Sequence, residues 1–110
     1  MYYIYMIRCC DNSVYTGITT DVNRRIKEHC GKGGKGAKYT LTHVPKKLEC
    51  VWRTATRQDA SKLEYRIKSL KKSCKEELVK NPLLFEGMLS DKLEIDKYEL
   101  CKDIFKITFD

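Results

Sequence analysis

The sequence predicts a small α+β fold, in which a three-stranded antiparallel sheet is flanked by helices. The chain has 110 residues, of which 42% are hydrophobic, so it can bury one core but not two of ordinary size. Two short segments rich in Tyr, Ile and Val stand on either side of a turn signal, which is typical of a hairpin. Later segments repeat apolar residues with the period of an amphipathic helix.

The hairpin strands are predicted at residues 2–9 and 14–18, joined by a tight turn at residues 11–13. Because side chains alternate between the two faces of a strand, the side chains of the first strand divide into two groups of three, one on each face. One face carries Tyr3, Tyr5 and Ile7, and the other carries Tyr2, Ile4 and Met6. Both sets are largely apolar, so we expect this strand to be covered on both sides.

A first helix is predicted from a cap at Thr20 or Asp21 to about residue 29 or 30, where glycines follow. Its apolar stripe is Val22, Ile26 and Cys30. Arg25 and His29 lie at one margin of that stripe, whereas Arg24 falls on the solvent side. The helical period therefore selects Arg25 over its neighbour.

A third strand is predicted from Lys47 to Thr56, because Leu48, Cys50 and Trp52 alternate with other residues along it. This pattern places the three side chains on one face. Thr56 and Asp59 then predict a capping box at the start of a helix of about four turns. The buried stripe of that helix is Ala60, Leu63, Ile67 and Leu70, with Cys74 as a further candidate.

The remaining residues predict two more helices. Ser73 and Glu76 resemble a second cap, which would begin a short helix that ends before Pro82. Residues Asp91 to about Phe105 have an amphipathic helical pattern.

Positive charge is concentrated in the first two thirds of the chain. The net charge is +7; residues 1–75 carry 17 Lys and Arg against 6 Asp and Glu, and residues 76–110 carry 5 against 9. The first part is therefore expected to bind a polyanion, although a solvated basic face kept for solubility is the alternative. The acidic tail is not expected to take part.

Residues 31–38 contain glycines and lysines whose amides and ammonium groups can follow a phosphate chain. An ordinary surface loop is an equal alternative. The segment lacks the strand-to-helix context and the Gly-Lys-Ser/Thr ending of a P-loop, so we expect no nucleotide cofactor.

The six cysteines show no Cys-x-x-Cys spacing, and only two histidines could complete a zinc site. Reduced, packed thiols are the better interpretation. No apolar run approaches the length of a membrane span, and the start of the chain shows no leader. A cytoplasmic protein without a membrane partner is therefore expected.

Glu64 lies at the edge of the buried stripe of its predicted helix, beside Ala60 and Lys68 on the helical wheel. A buried carboxylate without compensation is costly, so it needs a cation. The cation could be a metal ion, or it could be a basic side chain such as Arg25 or Lys68. The helical period leaves these alternatives open.

Tyrosine hydroxyls, an arginine fork matched to phosphate and a carboxylate for a hard metal ion together favour nucleic-acid hydrolysis. Taken singly, each has a simpler explanation: tyrosines pack on hairpins, an arginine can lie at the surface, and a histidine often ends a helix. Their joint order is more specific, and it resembles the GIY-YIG nuclease superfamily. The resemblance rests on Tyr3-Ile4-Tyr5, Tyr15-Thr16-Gly17, Arg25, His29 and Glu64.

The resemblance extends over roughly residues 2–80, and Gly36-Ala37-Lys38-Tyr39-Thr40 is similar to the small stand-alone bacterial members. Tyr3 and Thr16 depart from the motif, but neither removes a catalytic hydroxyl. The resemblance implies a nuclease-like domain at residues 1–80. Residues 81–110 would form an acidic extension that packs on or extends this domain and could bind a protein partner.

The same resemblance implies a metal-dependent endonuclease that hydrolyses DNA, with RNA as an alternative substrate and with a preference for unusual structure suited to repair or recombination. The implied catalytic residues are Tyr5, Tyr15, Arg25 and His29. Glu64 would hold one Mg²⁺ or Mn²⁺ ion. The implied nucleic-acid contacts are Lys32, Lys35, Lys38 and Tyr39, and His43 is a supporting candidate. The rival interpretation is a catalytically silent nucleic-acid-binding module or a docking protein on the same scaffold.

Overall fold

The computed structural model describes residues 1–29 and 43–101. Within them, four antiparallel strands form one sheet in the order β2-β1-β3-β4. The strands are β1 (Tyr2–Cys9), β2 (Val14–Thr19), β3 (Pro45–Thr54) and β4 (Glu99–Leu100). The helices are α1 (Val22–His29), α2 (Arg57–Lys68), α3 (Lys72–Lys80) and α4 (Phe85–Leu89), with 3₁₀ turns at Pro82–Leu84 and Ile95–Lys97. The predicted α+β class is confirmed.

The sheet has a fourth strand where three were predicted. β4 is only two residues long, and it pairs with Trp52 and Arg53 of β3. A two-residue strand leaves almost no alternating pattern in the sequence, so periodicity could not reveal it.

The helix predicted from Asp91 to about Phe105 is wrong over its described part. Residues 95–97 form a 3₁₀ turn, and the chain then enters β4. Tyr98 explains the difference, because its ring is buried and its hydroxyl donates a hydrogen bond of 2.7 Å to the carbonyl oxygen of Asp59. These tertiary contacts outweigh a weak helical preference.

The sheet carries an apolar cluster on each face, as predicted for β1. The first face joins Ile4 and Met6 of β1 to the buried stripe of α2 and to Trp52. The second joins Tyr5 and Ile7 to α1. The side chains that form the α2 stripe are Ala60, Leu63 and Ile67, and Leu70 packs partly against them.

A β-bulge in β3 changes one predicted side-chain direction. Met6 of β1 pairs with Cys50, but the next residue, Ile7, pairs with Leu48, so Glu49 is an extra residue in the ladder. Leu48 consequently packs in the second cluster, while Cys50 and Trp52 pack in the first. The prediction that all three share one face was wrong for Leu48.

Two of the three predicted helix caps are found. Asp21 accepts a hydrogen bond of 3.1 Å from the Arg24 amide at the start of α1, and Thr56 accepts one of 3.1 Å from the Asp59 amide at the start of α2. The cap predicted at Ser73 was wrong, since α3 begins at residue 72 and Ser73 lies inside it. The acid expected to complete that cap, Glu76, binds an arginine instead.

Apolar side chains between residues 85 and 100 pack on the first face of the sheet, whereas Cys101 packs in the second cluster. Phe85 and Leu89 of α4 are buried in the same cluster as Trp52, and the ring centroids of Phe85 and Trp52 are 5.6 Å apart. The division of the chain at residue 80 stays a prediction.

The five cysteines among the described residues are unpaired thiols, and Cys9 and Cys50 are buried. Burial raises the pKa of both thiols above the ordinary value. No helix in the described ranges is long and apolar enough to cross a membrane.

Candidate active site

Three elements bring the predicted catalytic side chains together on the second face of the sheet. Tyr5 of β1 lies opposite Gly17 of β2, and Tyr15 stands two residues before Gly17, on the same face. The ring centroid of Tyr5 is 6.4 Å from that of Tyr15 and 5.7 Å from that of His29. Tyr15 and His29 are 5.3 Å apart by the same measure. The two strands and α1 thus converge on one cluster of rings.

Gly17 is required by the position of the Tyr5 ring. A Cβ atom at residue 17 would lie 2.4 Å from the Tyr5 hydroxyl oxygen, 2.6 Å from its Cζ and 3.1 Å from a ring carbon of Tyr15. The two distances to Tyr5 are far below van der Waals contact, and Tyr5 is only 1% exposed, so its ring has little room to move away. The bare backbone at Gly17 therefore forms the floor under the Tyr5 hydroxyl.

His29 is the direct partner of Tyr5. Its Nε2 atom lies 2.7 Å from the Tyr5 hydroxyl oxygen, and the imidazole is 2% exposed. Burial and the nearby charge of Arg25 lower the pKa of His29 to about 4. The imidazole is thus neutral at pH 7, and a neutral Nε2 can accept the hydrogen bond that the Tyr5 hydroxyl donates.

The Tyr5 hydroxyl keeps its proton strongly. Burial raises its pKa above the ordinary value of a phenol, and the neighbouring Tyr15 and Glu64 raise it further, while hydrogen bonding and charge from Arg25 lower it. A tyrosine that acts as a free phenolate base needs a lowered pKa, and the pKa of Tyr5 is raised instead. Any proton that Tyr5 accepts must therefore be matched by one that it passes to His29.

Arg25 lies at the margin of α1, as the helical period predicted, and its neighbour Arg24 is exposed. The guanidinium Nη1 of Arg25 donates a hydrogen bond of 3.0 Å to Oε1 of Glu28, one turn along α1. The side chain of Arg25 is 25% exposed, and the guanidinium also acts on the Tyr5 hydroxyl by hydrogen bonding and charge. That arrangement suits an incoming phosphate oxygen.

Glu64 approaches the ring cluster from α2. This helix packs on the first face of the sheet, and β2 is the edge strand, so Glu64 and Lys68 reach past that edge toward the second face. Oε2 of Glu64 lies 3.5 Å from Nζ of Lys68, which in turn lies 5.4 Å from the centre of the Tyr15 ring. The ion pair with Lys68, one of the two alternatives for Glu64, is therefore present.

Glu64 is also suited to a divalent metal ion. Its side chain is 23% exposed, and within residues 1–29 and 43–101 no three His, Cys, Asp or Glu side chains gather into a metal-binding group. A lone carboxylate fits Mg²⁺, which usually keeps several waters and takes further oxygens from a phosphate. It does not fit a metal that needs a full set of protein ligands.

The other predicted nucleic-acid contacts have different outcomes. Lys32, Lys35, Lys38 and Tyr39 lie outside the described residues. His43, the supporting candidate, pairs through Nδ1 with the Asp11 carboxylate of the β1–β2 turn. The pKa of the Asp11 carboxyl is well below its usual value. Hydrogen bonds from Ser13 are the main cause, and the hydrogen bond from His43 is the next.

Sequence reasoning did not assign two features of this site. Lys68 was considered only as a partner for Glu64, and its position over the Tyr15 ring depends on the packing of α2 against β2. Gly17 was treated as part of a motif, not as the contact surface of Tyr5. The cross-strand register could have shown this second feature, because the hairpin turn places residue 17 opposite residue 5.

Comparisons with known proteins identify the family of the chain. Residues 1–77 match the sequence model of the GIY-YIG catalytic domain. The UPF0213 protein BH0048 of Halalkalibacterium halodurans is 46% identical over 78 residues, which cover 71% of this chain and 81% of that protein. A UPF0213 protein of Cronobacter sakazakii is 46% identical over 89 residues, covering 81% of this chain and 92% of its own length.

A further relative, the UPF0213 protein YhbQ of Salmonella typhimurium, is 45% identical over 89 residues, with 81% of this chain and 87% of the relative covered. The solution NMR structure of the UPF0213 protein BH0048 from Bacillus halodurans has a TM-score of 0.47 and 46% sequence identity, covering 73% of this chain and 84% of that one. Since the domain match spans more than half of the chain, the chain belongs to the GIY-YIG domain family.

Proposed function

We propose that this protein is a divalent-metal-dependent endonuclease that hydrolyses phosphodiester bonds in DNA. The observation that carries the proposal is the 2.7 Å hydrogen bond between the Tyr5 hydroxyl and a buried His29. Any tyrosine hydroxyl at this depth needs a hydrogen-bond partner, and here the partner is a neutral imidazole, the group that a proton relay requires within hydrogen-bond distance. The family match over residues 1–77 supports the same reaction class.

The hydrogen bond between Tyr5 and His29 supplies a proton path. A water molecule that attacks phosphorus must lose a proton, and the Tyr5 oxygen can accept it while the original Tyr5 proton moves to Nε2 of His29. His29 then holds the proton as imidazolium until solvent or the product removes it. Because the pKa of Tyr5 is raised and that of His29 is lowered, both side chains are neutral at pH 7 before the substrate binds.

Arg25 and Glu64 would hold the reacting phosphate from two sides. The Arg25 fork would bind the non-bridging oxygens and offset the charge that develops on them, with the Tyr15 hydroxyl beside it. A magnesium or manganese ion on Glu64 would act as a Lewis acid and stabilise the leaving oxygen. The Lys68 ammonium, 3.5 Å from Glu64, is beyond normal hydrogen-bond length and can turn aside on its flexible chain.

The experiment is cleavage of supercoiled and branched DNA in magnesium or manganese, with Tyr5→Phe, Glu64→Gln and Arg25→Ala beside the wild-type protein. Loss of cleavage in all three, with folding retained by circular dichroism, is the expected result. Lys27→Ala is the control, because it removes one positive charge from the exposed side of α1 outside the depression beside Arg25. Equal loss in Lys27→Ala and Arg25→Ala would contradict the assigned site.

The rival function is a nucleic-acid-binding module without turnover. It would be preferred if wild-type protein bound DNA in a salt-sensitive manner but cleaved no DNA or RNA substrate in either metal. The lone Glu64 carboxylate beside the cationic site argues against it, because a negative charge there weakens simple phosphate binding.

A further inference from the structure

We propose that the outward face of α2 is a second nucleic-acid contact that binds a single-stranded segment of DNA. A groove of about 710 Å³ lies along this face and reaches the chain after α4. It lies apart from the ring cluster, because Tyr5, Tyr15 and His29 are not in its lining. The residues that matter most in it are Arg57, Lys62, Tyr65, Arg66, Lys92 and Leu93.

The charge of the groove fits a phosphate chain. Four of its lining residues are cationic, and none of the described lining residues is acidic. The ion pairs formed among residues 1–29 and 43–101 involve other side chains. Asp59 and Glu94 line a neighbouring depression together with Lys62 and Lys92, so acids lie nearby but outside the groove. Cations along one helix face release counterions when they meet phosphates, which gives affinity without sequence preference.

Tyr65 favours a single strand over a duplex. It is 63% exposed at the centre of the cationic face, although it is a large aromatic residue, and the Arg66 guanidinium carbon lies 5.3 Å from its ring centroid. An exposed ring flanked by cations can stack on a base, but only on a base whose face is free. Paired bases in a duplex have no free face except at the ends.

Arg57 connects this groove to the candidate active site. A second depression of about 320 Å³ lies between β2 and α1, and its lining includes Arg24, Arg25 and also Arg57. Arg57 thus borders both the groove and this depression. A strand that leaves the phosphate position beside Arg25 can therefore pass Arg57 and enter the groove. If the proposed nuclease function holds, the inference makes its substrate a DNA that carries a single-stranded flank.

The test is a binding measurement without metal, so it does not depend on cleavage. Fluorescence anisotropy would compare a labelled oligothymidylate with a blunt duplex of equal length. Tyr65→Ala is expected to weaken binding of the single strand roughly tenfold to a hundredfold, since stacking on one aromatic side chain has that effect. Tyr65→Phe keeps the ring and removes only the hydroxyl, so it should bind almost as wild type does. That result would assign the contact to the ring and not to the hydroxyl.

The lysines are tested with a charge-matched control. Lys62→Ala combined with Lys92→Ala should flatten the dependence of log affinity on log salt by about 1.4, which is the value for two phosphate contacts on a single strand. Lys46→Ala combined with Lys80→Ala removes two exposed lysines elsewhere and should leave the slope nearly unchanged. Equal slopes for both pairs, or unchanged affinity in Tyr65→Ala, would overturn the proposal. Intact groove binding with no cleavage would instead reject only the nuclease function.

Discussion

Tyr5 and Gly17 face each other across the β1–β2 pair, and the phenol fills the space that a side chain at residue 17 would need. Such close contact between a ring and a backbone is possible only at glycine. The glycine therefore sets the height of the Tyr5 hydroxyl above the sheet, and with it the 2.7 Å distance to His29.

Gly17→Ala should both destabilise the protein and displace Tyr5. The new methyl group would lie 2.4 Å from the Tyr5 hydroxyl oxygen, and overpacking of this kind costs about 1–3 kcal/mol. Urea unfolding measures the loss. Gly87→Ala in α4 is the control, since nothing lies within 4 Å of its added methyl, and there alanine should be neutral or slightly stabilising. Similar losses in both variants would contradict the contact.

His29 should make stability fall as the solution is acidified below pH 6.5. Its folded pKa of about 4 lies below the unfolded value of 6.5, so its contribution is complete above pH 6.5 and is lost as pH falls toward 4. The shift corresponds to about 3 kcal/mol. The difference in unfolding free energy between wild type and His29→Gln should shrink by that order between pH 7 and pH 4. Parallel pH curves would show that His29 is not held neutral.

The site residues were largely predictable from sequence because each stands on an element with a clear period. The alternation of β1 put Tyr5 on one face, and the helical period put Arg25 and His29 on one margin of α1. Contacts between elements were not predictable in the same way. The approach of Lys68 to the Tyr15 ring joins residues about fifty positions apart, and no local pattern records such packing.

At the scale of elements, Arg8 joins three parts of the fold. Its Nε donates to the Glu49 carboxylate in the β3 bulge at 3.1 Å, and its Nη1 donates to Glu76 of α3 at 2.6 Å and to the Asn12 carbonyl oxygen in the hairpin turn at 3.0 Å. Glu76 holds both Nη atoms of the guanidinium, so the pairing is bidentate. The pKa of Glu76 is lowered accordingly, first by this hydrogen bond.

Arg8→Met should destabilise the protein by about 2 kcal/mol, because it leaves the Glu49 carboxylate, only 10% exposed, with the exposed Lys47 at 3.4 Å as its remaining cation. Arg53→Met is the matched control: its pair with Glu99 is exposed at 42% and 66%, and such pairs contribute less than about 1 kcal/mol. Thermal unfolding compares the two variants. Equal melting temperatures would mean that the Arg8 network does not stabilise the junction.

The same network shows why the bulge escaped prediction. Leu48, Cys50 and Trp52 alternate regularly in the sequence, but Glu49 is extra in the ladder and reverses the face of Leu48. The bulge depends on the register between β3 and β1 and is accompanied by the contact between Arg8 and Glu49. Both form only in the folded chain, so no local sequence pattern records them. Caps are more local, and the pair Thr56 and Asp59 was therefore predictable.

At the scale of the whole molecule, the net charge of +7 should make DNA binding depend steeply on salt. If four phosphates of a duplex are neutralised, affinity should fall about a hundredfold between 50 and 200 mM salt. Anisotropy titrations at four salt concentrations would measure the slope. A flat response would refute the idea that the basic part of the chain follows a phosphate backbone.

Trp52 is the only tryptophan in the chain, and the sheet separates it from Tyr5, since the two belong to clusters on opposite faces. Its indole fluorescence is therefore shielded from anything that binds beside Tyr5 and responds instead to Phe85 and the rest of α4 against it. A substitution beside Tyr5 that leaves the emission blue-shifted has left the first face of the sheet packed. A shift to the red reports water at Trp52, and a cooperative unfolding curve then separates release of α4 from unfolding of the whole domain.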